Sequence, residues 1–446
     1  MIKYFSVLIA VVIVVSCSKD DAENQELIAI SDITNITDLT ATISGTVQEV
    51  SGTTISAKGF VWEIAPNPVI EYSDSTNEGN SSGSFTSNIS NLSRDTEYFV
   101  RAYVTTNEGT MYSEQRSFTT TNICPGGTYQ GDITLHNQDM VNKFGSNQYC
   151  NVNGLLRIHS FGNTPPITDL SPLSSLSKVS SLVIDYNYVL PSLNGLNIKE
   201  TEGLVLIGND ALTHIDALSS ITSTMTRMII EKNEKLENLD GLSGLTQIDA
   251  EIIGLYLIDN PALTNINGIA NVTSFNGNLI IENNPSLVHL DGLINIETID
   301  GYLEIDFNEN LQNLNGLSNL KHVNGWFTMY HNTGLTNLDG LQSLESVNEH
   351  FSINSNKALT NISGLANLKT TNGRFSIVFS DHLTSLDGLS SLQTTGGFRI
   401  GANKILSDFC DVTSLIQNGG VLGEYEVMKN AYNPTQQDII DGNCSL

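Results

Sequence analysis

"FTMYHNTGLTNLDGLQSLESVNEH" occupies residues 327–350, and the 24 residues before it read "LEIDFNENLQNLNGLSNLKHVNGW". With the first residue of each copy as position 0, apolar side chains fall at positions 0 and 2, then at 8, 11, 14, 17 and 20. In the earlier copy these are Leu303, Ile305, Leu311, Leu314, Leu317, Leu320 and Val323. A step of two followed by steps of three fits neither a long helix nor a long flat strand. It fits a coil that turns a corner every few residues and sends one side chain inward at each corner.

The unit recurs along the chain. Its leading apolar pair starts at Ile133, Leu156, Leu182, Leu204, Met228, Leu255, Leu279, Leu303, Phe327, Phe351, Phe375 and Phe398, and every interval from Leu255 to Phe375 is 24 residues. That is a solenoid period. From the unit at Leu182 onward, position 5 is Asn187, Asn209, Asn233, Asn260, Asn284, Asn308, Asn332, Asn356 and Asn403, with Ser380 as the single replacement. An amide above an identical amide can donate to one neighbour and accept from the other, so the column is expected to be a buried hydrogen-bonded ladder. The pairs Asp240-Gly241, Asn267-Gly268, Asp291-Gly292, Asn315-Gly316, Asp339-Gly340 and Asp387-Gly388 mark a corner, where glycine is expected to supply a positive φ. One carboxylate per turn of chain, with no second ligand at fixed spacing, is a weak calcium signal.

Residues 28–121 have a different character. "TATISGTV", "KGFVWEI", "GSFTSNI" and "YFVRAYVTT" alternate with a period of two and are separated by turn residues, which predicts a β-sandwich. Trp62 is expected in its core. The fold expected for the whole chain is mainly β: an N-terminal sandwich, then a right-handed parallel β-solenoid of about twelve rungs with short helical caps. At ~4.8 Å per rung the solenoid would be a rod of roughly 53 Å. The front cap is read as a helix started by Asn137 and stopped by Gly145. The back cap is read as two short helices, one between Asp411 and Gly419 and one between Pro434 and Gly442.

After Lys3, residues 5–15 form an apolar run interrupted only by Ser6. The run is too short to span a bilayer and reads as the core of a signal peptide. "VVSC" resembles a bacterial lipobox. The resemblance implies that Cys17 is diacylated and becomes the mature N-terminus, and two acyl chains anchor a protein stably. "SKDDAEN" resembles the acidic tether of Bacteroidetes-type surface lipoproteins, which implies an outer-membrane, cell-surface location. Four other cysteines remain: Cys124, Cys150, Cys410 and Cys444. In an exported chain three pairings are possible; the favoured one is local, Cys124 with Cys150 and Cys410 with Cys444, closing each end of the repeats.

Within 28–121, "NLSRDTEYFVRAYVTTNEGT" carries Leu92, Thr96 and Tyr98, spaced as in the corner of fibronectin type III modules, which it resembles. Arg94 stands where that family usually has proline. The repeats from residue 124 onward resemble the leucine-rich repeats of receptor L domains, which implies sheets on more than one side. They depart from ordinary leucine-rich repeats: asparagine is followed by x-x-Leu, and glycine often precedes the strand. The resulting domain reading is a signal peptide over 1–16, a lipidated tether over 17–27, a fibronectin-like module over 28–121 and an L-domain-like solenoid over 122–446.

A formal charge of −28 repels phosphate backbones and excludes nucleic acid as an expected partner. No zinc-helix motif, phosphate loop, nucleophile elbow or EF-hand loop is present, so neither a cofactor nor an enzyme is expected. The function read from the sequence is a surface-anchored binding or adhesion protein whose ligand is an extracellular protein or glycan.

Outward positions of the strands supply the candidate residues. An apolar interface is expected at Val183, Val205, Ile207, Ile229, Tyr256, Ile258 and Ile280, covered by the fibronectin-like module, a long loop or an external partner. A recognition face is expected at Tyr302, Trp326, His350 and Arg374, with Tyr330 and His331 nearby. Two other readings stand beside this one. A polysaccharide-active enzyme would use His331, His350 and Arg374, although no rung gathers paired carboxylates. A purely structural envelope protein would have no ligand.

Overall fold

Two units divide the chain, Met1–Ile123 and Cys124–Leu446. The computed structural model describes residues 27–49, 52, 54–121, 124–160, 162, 164–222, 225–249 and 254–446. The expected signal peptide, Cys17 and the tether up to residue 26 lie outside them. No described helix is long and apolar enough to cross a membrane.

In the first unit, alternating inward side chains build two antiparallel sheets. Ile28–Thr34, Ala41–Val47 and Gly83–Ile89 form one; Asp74–Ser75, Ile55–Glu63, Glu97–Thr106, Gly109–Tyr112 and Arg116–Thr119 form the other. Both contribute to one buried cluster that includes Ile43, Phe85, Phe60, Trp62 and Val100. Trp62 is therefore a core residue, as its position in an apolar strand implies. The Tyr98 hydroxyl accepts the Ser93 N–H at 2.9 Å, pinning the corner, and buried Arg94 pairs with Asp38 at 2.8 Å.

The second unit is a repeating coil that carries one 19-stranded network of parallel pairings. In the rungs from Leu204 to Phe351 a four- or five-residue strand supplies positions 0 to 3, and in the rungs at Leu156, Leu182, Phe375 and Phe398 these positions lie within longer strands. The register matches rung to rung: Leu255, Leu279, Leu303, Phe327, Phe351, Phe375 and Phe398 pair in sequence. A second row of short strands, such as His322–Val323 and Ser346–Val347, forms a second parallel ladder, so strands occupy two sides of the coil. The apolar positions of the repeat form a single continuous core. One further rung, Tyr425–Met428, which the sequence reading does not count, pairs with residues 398–401.

Both disulfides are local, Cys124–Cys150 and Cys410–Cys444. The front helix spans Gln138–Gly145, and the Asn137 side chain accepts the Met140 N–H. Gly145 is thus the last helical residue, with Ser146 as its C-cap. The back helices are Thr413–Gln417 and Gln436–Ile440. The second starts at Thr435, which forms a reciprocal capping box with Asp438, so Pro434 precedes the cap and does not open the helix.

The asparagine column is a ladder. Asn284 Nδ2 donates to Asn308 Oδ1 and to Leu257 O in the rung before, and Asn308 Oδ1 also accepts the Asn284 backbone N–H at 3.1 Å. The same bonds run from Asn187 to Asn260 and reappear from Asn403 to Asn430; from Asn308 to Asn356 the link is the backbone N–H of one asparagine donating to the Oδ1 of the next. Ser380 breaks the column. Its Oγ is buried without a partner, and it cannot reach the strand carbonyl of the preceding rung as Asn356 reaches Met329 O and Asn403 reaches Ile377 O. Ser380→Asn is expected to stabilise the solenoid by about 1 kcal/mol, measured as a shift of the urea midpoint at constant slope. A midpoint that falls would show that the pocket cannot hold an amide.

The corner glycines need a correction. Gly340 and Gly388 have φ of 107° and 113°. Gly241, Gly268, Gly292, Gly316 and Gly364 do not lie in the positive region, and a Cβ on each would lie 1.7–2.0 Å from a carbonyl oxygen of the preceding rung. Glycine is required there by close approach of two backbones. The positive-φ column is position 4, where Tyr186, Lys232, Asp259, Asn283, Phe307, His331, Ser355, Phe379, Ala402 and Lys429 all have φ between 52° and 59°. No β-branched residue occurs among them, as the sterics of that region require.

Candidate binding surface on the parallel sheet

Three outward columns cross the strands. Position 1 runs Arg157, Val183, Val205, Ile229, Tyr256, Ile280, Glu304, Thr328, Ser352, Ser376 and Arg399 through consecutive pairings. The expected apolar stripe is therefore contiguous in register, with Ile207 and Ile258 in the position 3 column. Its exposure is smaller than the sequence reading assumes. Val205 and Ile280 are buried, only 6% and 8% exposed, and the other five are half-buried. Neighbours ~4.8 Å away in the same column cover one another's flanks, so outward direction alone does not make these residues exposed.

The expected recognition residues fall into three groups. Tyr302 and Trp326, adjacent in the position −1 column, stack with ring centroids 4.2 Å apart and planes 9° from parallel. Trp326 Nε1 donates to Glu304 Oε1 at 3.0 Å, and the Tyr302 hydroxyl lies 3.1 Å from that of Tyr256. Burial first, then the Tyr256 hydrogen bond, hold the Tyr302 phenol above its ordinary range. Tyr330 and His331 gather instead around Phe307, at 4.8 Å and 5.3 Å between centroids. The repeat pattern does not single out Phe307, because position 4 follows no hydrophobic rule. His331 is also less free than its outward position suggests, since its backbone belongs to the positive-φ column.

The third group is a groove of about 450 Å³ lined by His350, Ser352, Asn354, Arg374, Ser376, Val378 and Arg399. His350 Nδ1 accepts the Arg374 backbone N–H at 2.8 Å, which leaves Nε2 to carry the ring proton. Arg374 and Arg399 pair with Glu424 and Glu426 at 3.1 and 3.2 Å, and both guanidinium side chains remain about two-fifths exposed. Sequence reasoning names His350 and Arg374. Arg399 and the two serines complete the groove because the position 1 column runs beside His350 and Arg374 across three rungs.

Carboxylates do cluster on this face, contrary to the expectation that no rung gathers them. Asp306 is pushed up to about 6, chiefly by burial and then by Glu304 and Glu282, although the Tyr330 N–H donates to it at 2.8 Å. Glu282 is raised as well, by burial and then by Asp259 and Glu304. A raised carboxyl means that the folded chain holds its proton more tightly than the unfolded chain. This stabilisation is full below pH 3.8, the ordinary value, and is lost as pH rises through about 6. Asp306→Asn keeps the acceptor and removes the charge, so it is expected to stabilise the fold by about 1–2 kcal/mol at pH 8, a figure discounted for partial exposure. At pH 4 the gain should nearly vanish. Urea unfolding at both pH values measures it, and equal gains at both would contradict the assignment.

The fold and this face define a mainly β protein with a long repeating parallel sheet and polar and aromatic groups along its outward columns. No protein-family model and no curated protein sequence matches the chain. Two solved structures show local similarity, both of the sensor domain of the anti-sigma factor RsgI4 in Pseudobacteroides cellulosolvens. The short form is 22% identical over 22% of this chain and 94% of that one, with a TM-score of 0.18. The solution structure is 23% identical over 21% and 74%, with a TM-score of 0.16.

Proposed function

We propose that the protein is a surface-anchored, non-enzymatic binding lipoprotein. Lipid on Cys17 holds it to the outer membrane, residues 28–121 form a fibronectin type III-like sandwich, and an L-domain-like solenoid presents its strand face to an extracellular protein or glycan. The observation that carries the reading is the groove in which His350 and Arg374 meet Arg399, Ser352 and Ser376, one rung beyond the Tyr302–Trp326 stack. Guanidinium groups and hydroxyls at one place, beside packed aromatics, suit a ligand that carries both an acidic group and an apolar face. The lining of this groove does not include Glu282, Glu304 or Asp306, so these carboxylates stand outside the cleft in which a glycosidase would need them.

A glycan and host-protein array probed with the full chain tests the reading. Arg374→Ala combined with Trp326→Ala is expected to lower binding to the captured ligand at least tenfold without changing the melting temperature. Undiminished binding by the double variant would discard the strand-face site, and turnover of an arrayed polysaccharide would discard the non-enzymatic reading.

A further inference from the structure

We propose that a second groove, at the turn that follows the strands, binds a neutral linear polysaccharide. It goes beyond the strand-face reading and shares no residue with that site. The groove encloses about 440 Å³ and is lined by position 4 and position 6 residues of the five rungs that begin at Leu182, Leu204, Met228, Leu255 and Leu279. At the spacing of parallel strands it runs about 19 Å along the solenoid.

Two tyrosines form its aromatic end. Tyr186 and Tyr188 are 37% and 41% exposed, the highest values for any aromatic on these rungs, and their ring centroids are 6.4 Å apart. Tyr186 is held in place from two sides. His159 meets it edge-on at 5.9 Å, and its ring lies over Gly208, where a Cβ would come within 2.9 Å of Cδ1. Gly208 is the one glycine of the positive-φ column, and its missing side chain opens the floor on which that ring rests. The platform is therefore set before any ligand arrives, which spares a ligand the cost of ordering it.

Acceptors line the rest of the groove. Asp210, Glu234 and Asp259 supply carboxylate oxygens, which take hydrogen bonds and give none. Asp259 is already oriented, accepting from Asn283 Nδ2 at 2.6 Å with the Lys232 ammonium 3.7 Å away. Pro261 and Pro285 form a flat wall on the last two rungs. A pyranose offers an apolar C–H face for a phenol ring and a rim of hydroxyl donors for carboxylates. An anionic polymer would meet three carboxylates in a chain of charge −28. For a lysine-rich peptide the field is weaker than the carboxylate count implies, because Lys232 already pairs with Glu231 and approaches Asp259. A lining spread over five successive rungs suits an extended ligand.

Native gel electrophoresis of the full-length chain through hydroxyethyl cellulose, xylan or galactomannan tests this, with carboxymethyl cellulose and polylysine as charged counterparts. At least one neutral polymer is expected to retard the protein. Tyr186→Ala with Tyr188→Ala should weaken retardation at least tenfold. Should that variant misfold, Asp210→Asn with Glu234→Gln, both outside the core, should weaken it at least threefold at an unchanged melting temperature. Arg374→Ala should be retarded like the parent, which separates this site from the strand face. Retardation by none of the neutral polymers, stronger binding to either charged polymer, or undiminished retardation of the folded variants would overturn the proposal.

Discussion

Asn308→Ala is expected to destabilise the solenoid by about 4 kcal/mol, because a single side chain there satisfies three backbone groups. Its Nδ2 donates to Ile281 O at 2.8 Å and to Asp306 O at 3.0 Å, and its Oδ1 accepts the Asn284 N–H at 3.1 Å. The residue is fully buried, so no water replaces it. Each orphaned group costs about 1–3 kcal/mol, well above the net worth of an ordinary hydrogen bond. Asn310→Ala is the matched control. Asn310 also donates across rungs, to Pro285 O at 2.7 Å, but it is exposed, and its loss should cost under about 1 kcal/mol. Urea unfolding of both variants measures the difference. Similar losses for the two would mean that the column is stabilised by something other than burial of its bonds.

The ladder, the core and the disulfides are legible in the sequence for one reason: each is a positive choice repeated at a fixed interval or placed at an end of the repeats. Leucine at positions 8, 11, 14 and 17 and asparagine at position 5 are selected for what they contribute, so the pattern names them. Position 4 is selected by exclusion. Tyr186, Lys232, Asp259, Phe307 and Ala402 share a left-handed backbone and no chemistry, and absence of β-branching is too faint a signal to read from one chain. The turn groove is hidden for that reason, since half its lining is position 4. The apolar stripe falls in the expected column but is less exposed than expected, because a strand pattern fixes direction and not how far stacked neighbours shield one another. Among the strand-face candidates, His350 and Arg374 do converge, whereas Tyr330 and His331 belong to a separate cluster around Phe307.

Gly316→Ala separates the two explanations of the corner glycines. If a turn conformation were the requirement, alanine at a position outside the positive-φ region would be harmless, or stabilising by about 0.4–1 kcal/mol through the unfolded chain. The structure predicts the opposite sign. A Cβ on Gly316 would lie 1.8 Å from Leu290 O and 2.2 Å from Leu290 C, and the obstacle is backbone that the core leucine of the preceding rung holds in place. Leu317, at the end of the same 3-10 turn Asn315–Leu317, is fully buried, so the turn cannot slide outward without drawing that side chain from the core. Relief requires two rungs to separate, and the expected cost is about 3 kcal/mol or more. Gly419 supplies the contrasting case: its φ is 68° and nothing lies within 4 Å of the point a Cβ would occupy, so Gly419→Ala should cost only about 1 kcal/mol from backbone strain. A Gly316→Ala variant as stable as the parent would return the corner glycines to a purely conformational role, and a cost confined to the positive-φ positions Gly340 and Gly388 would do the same.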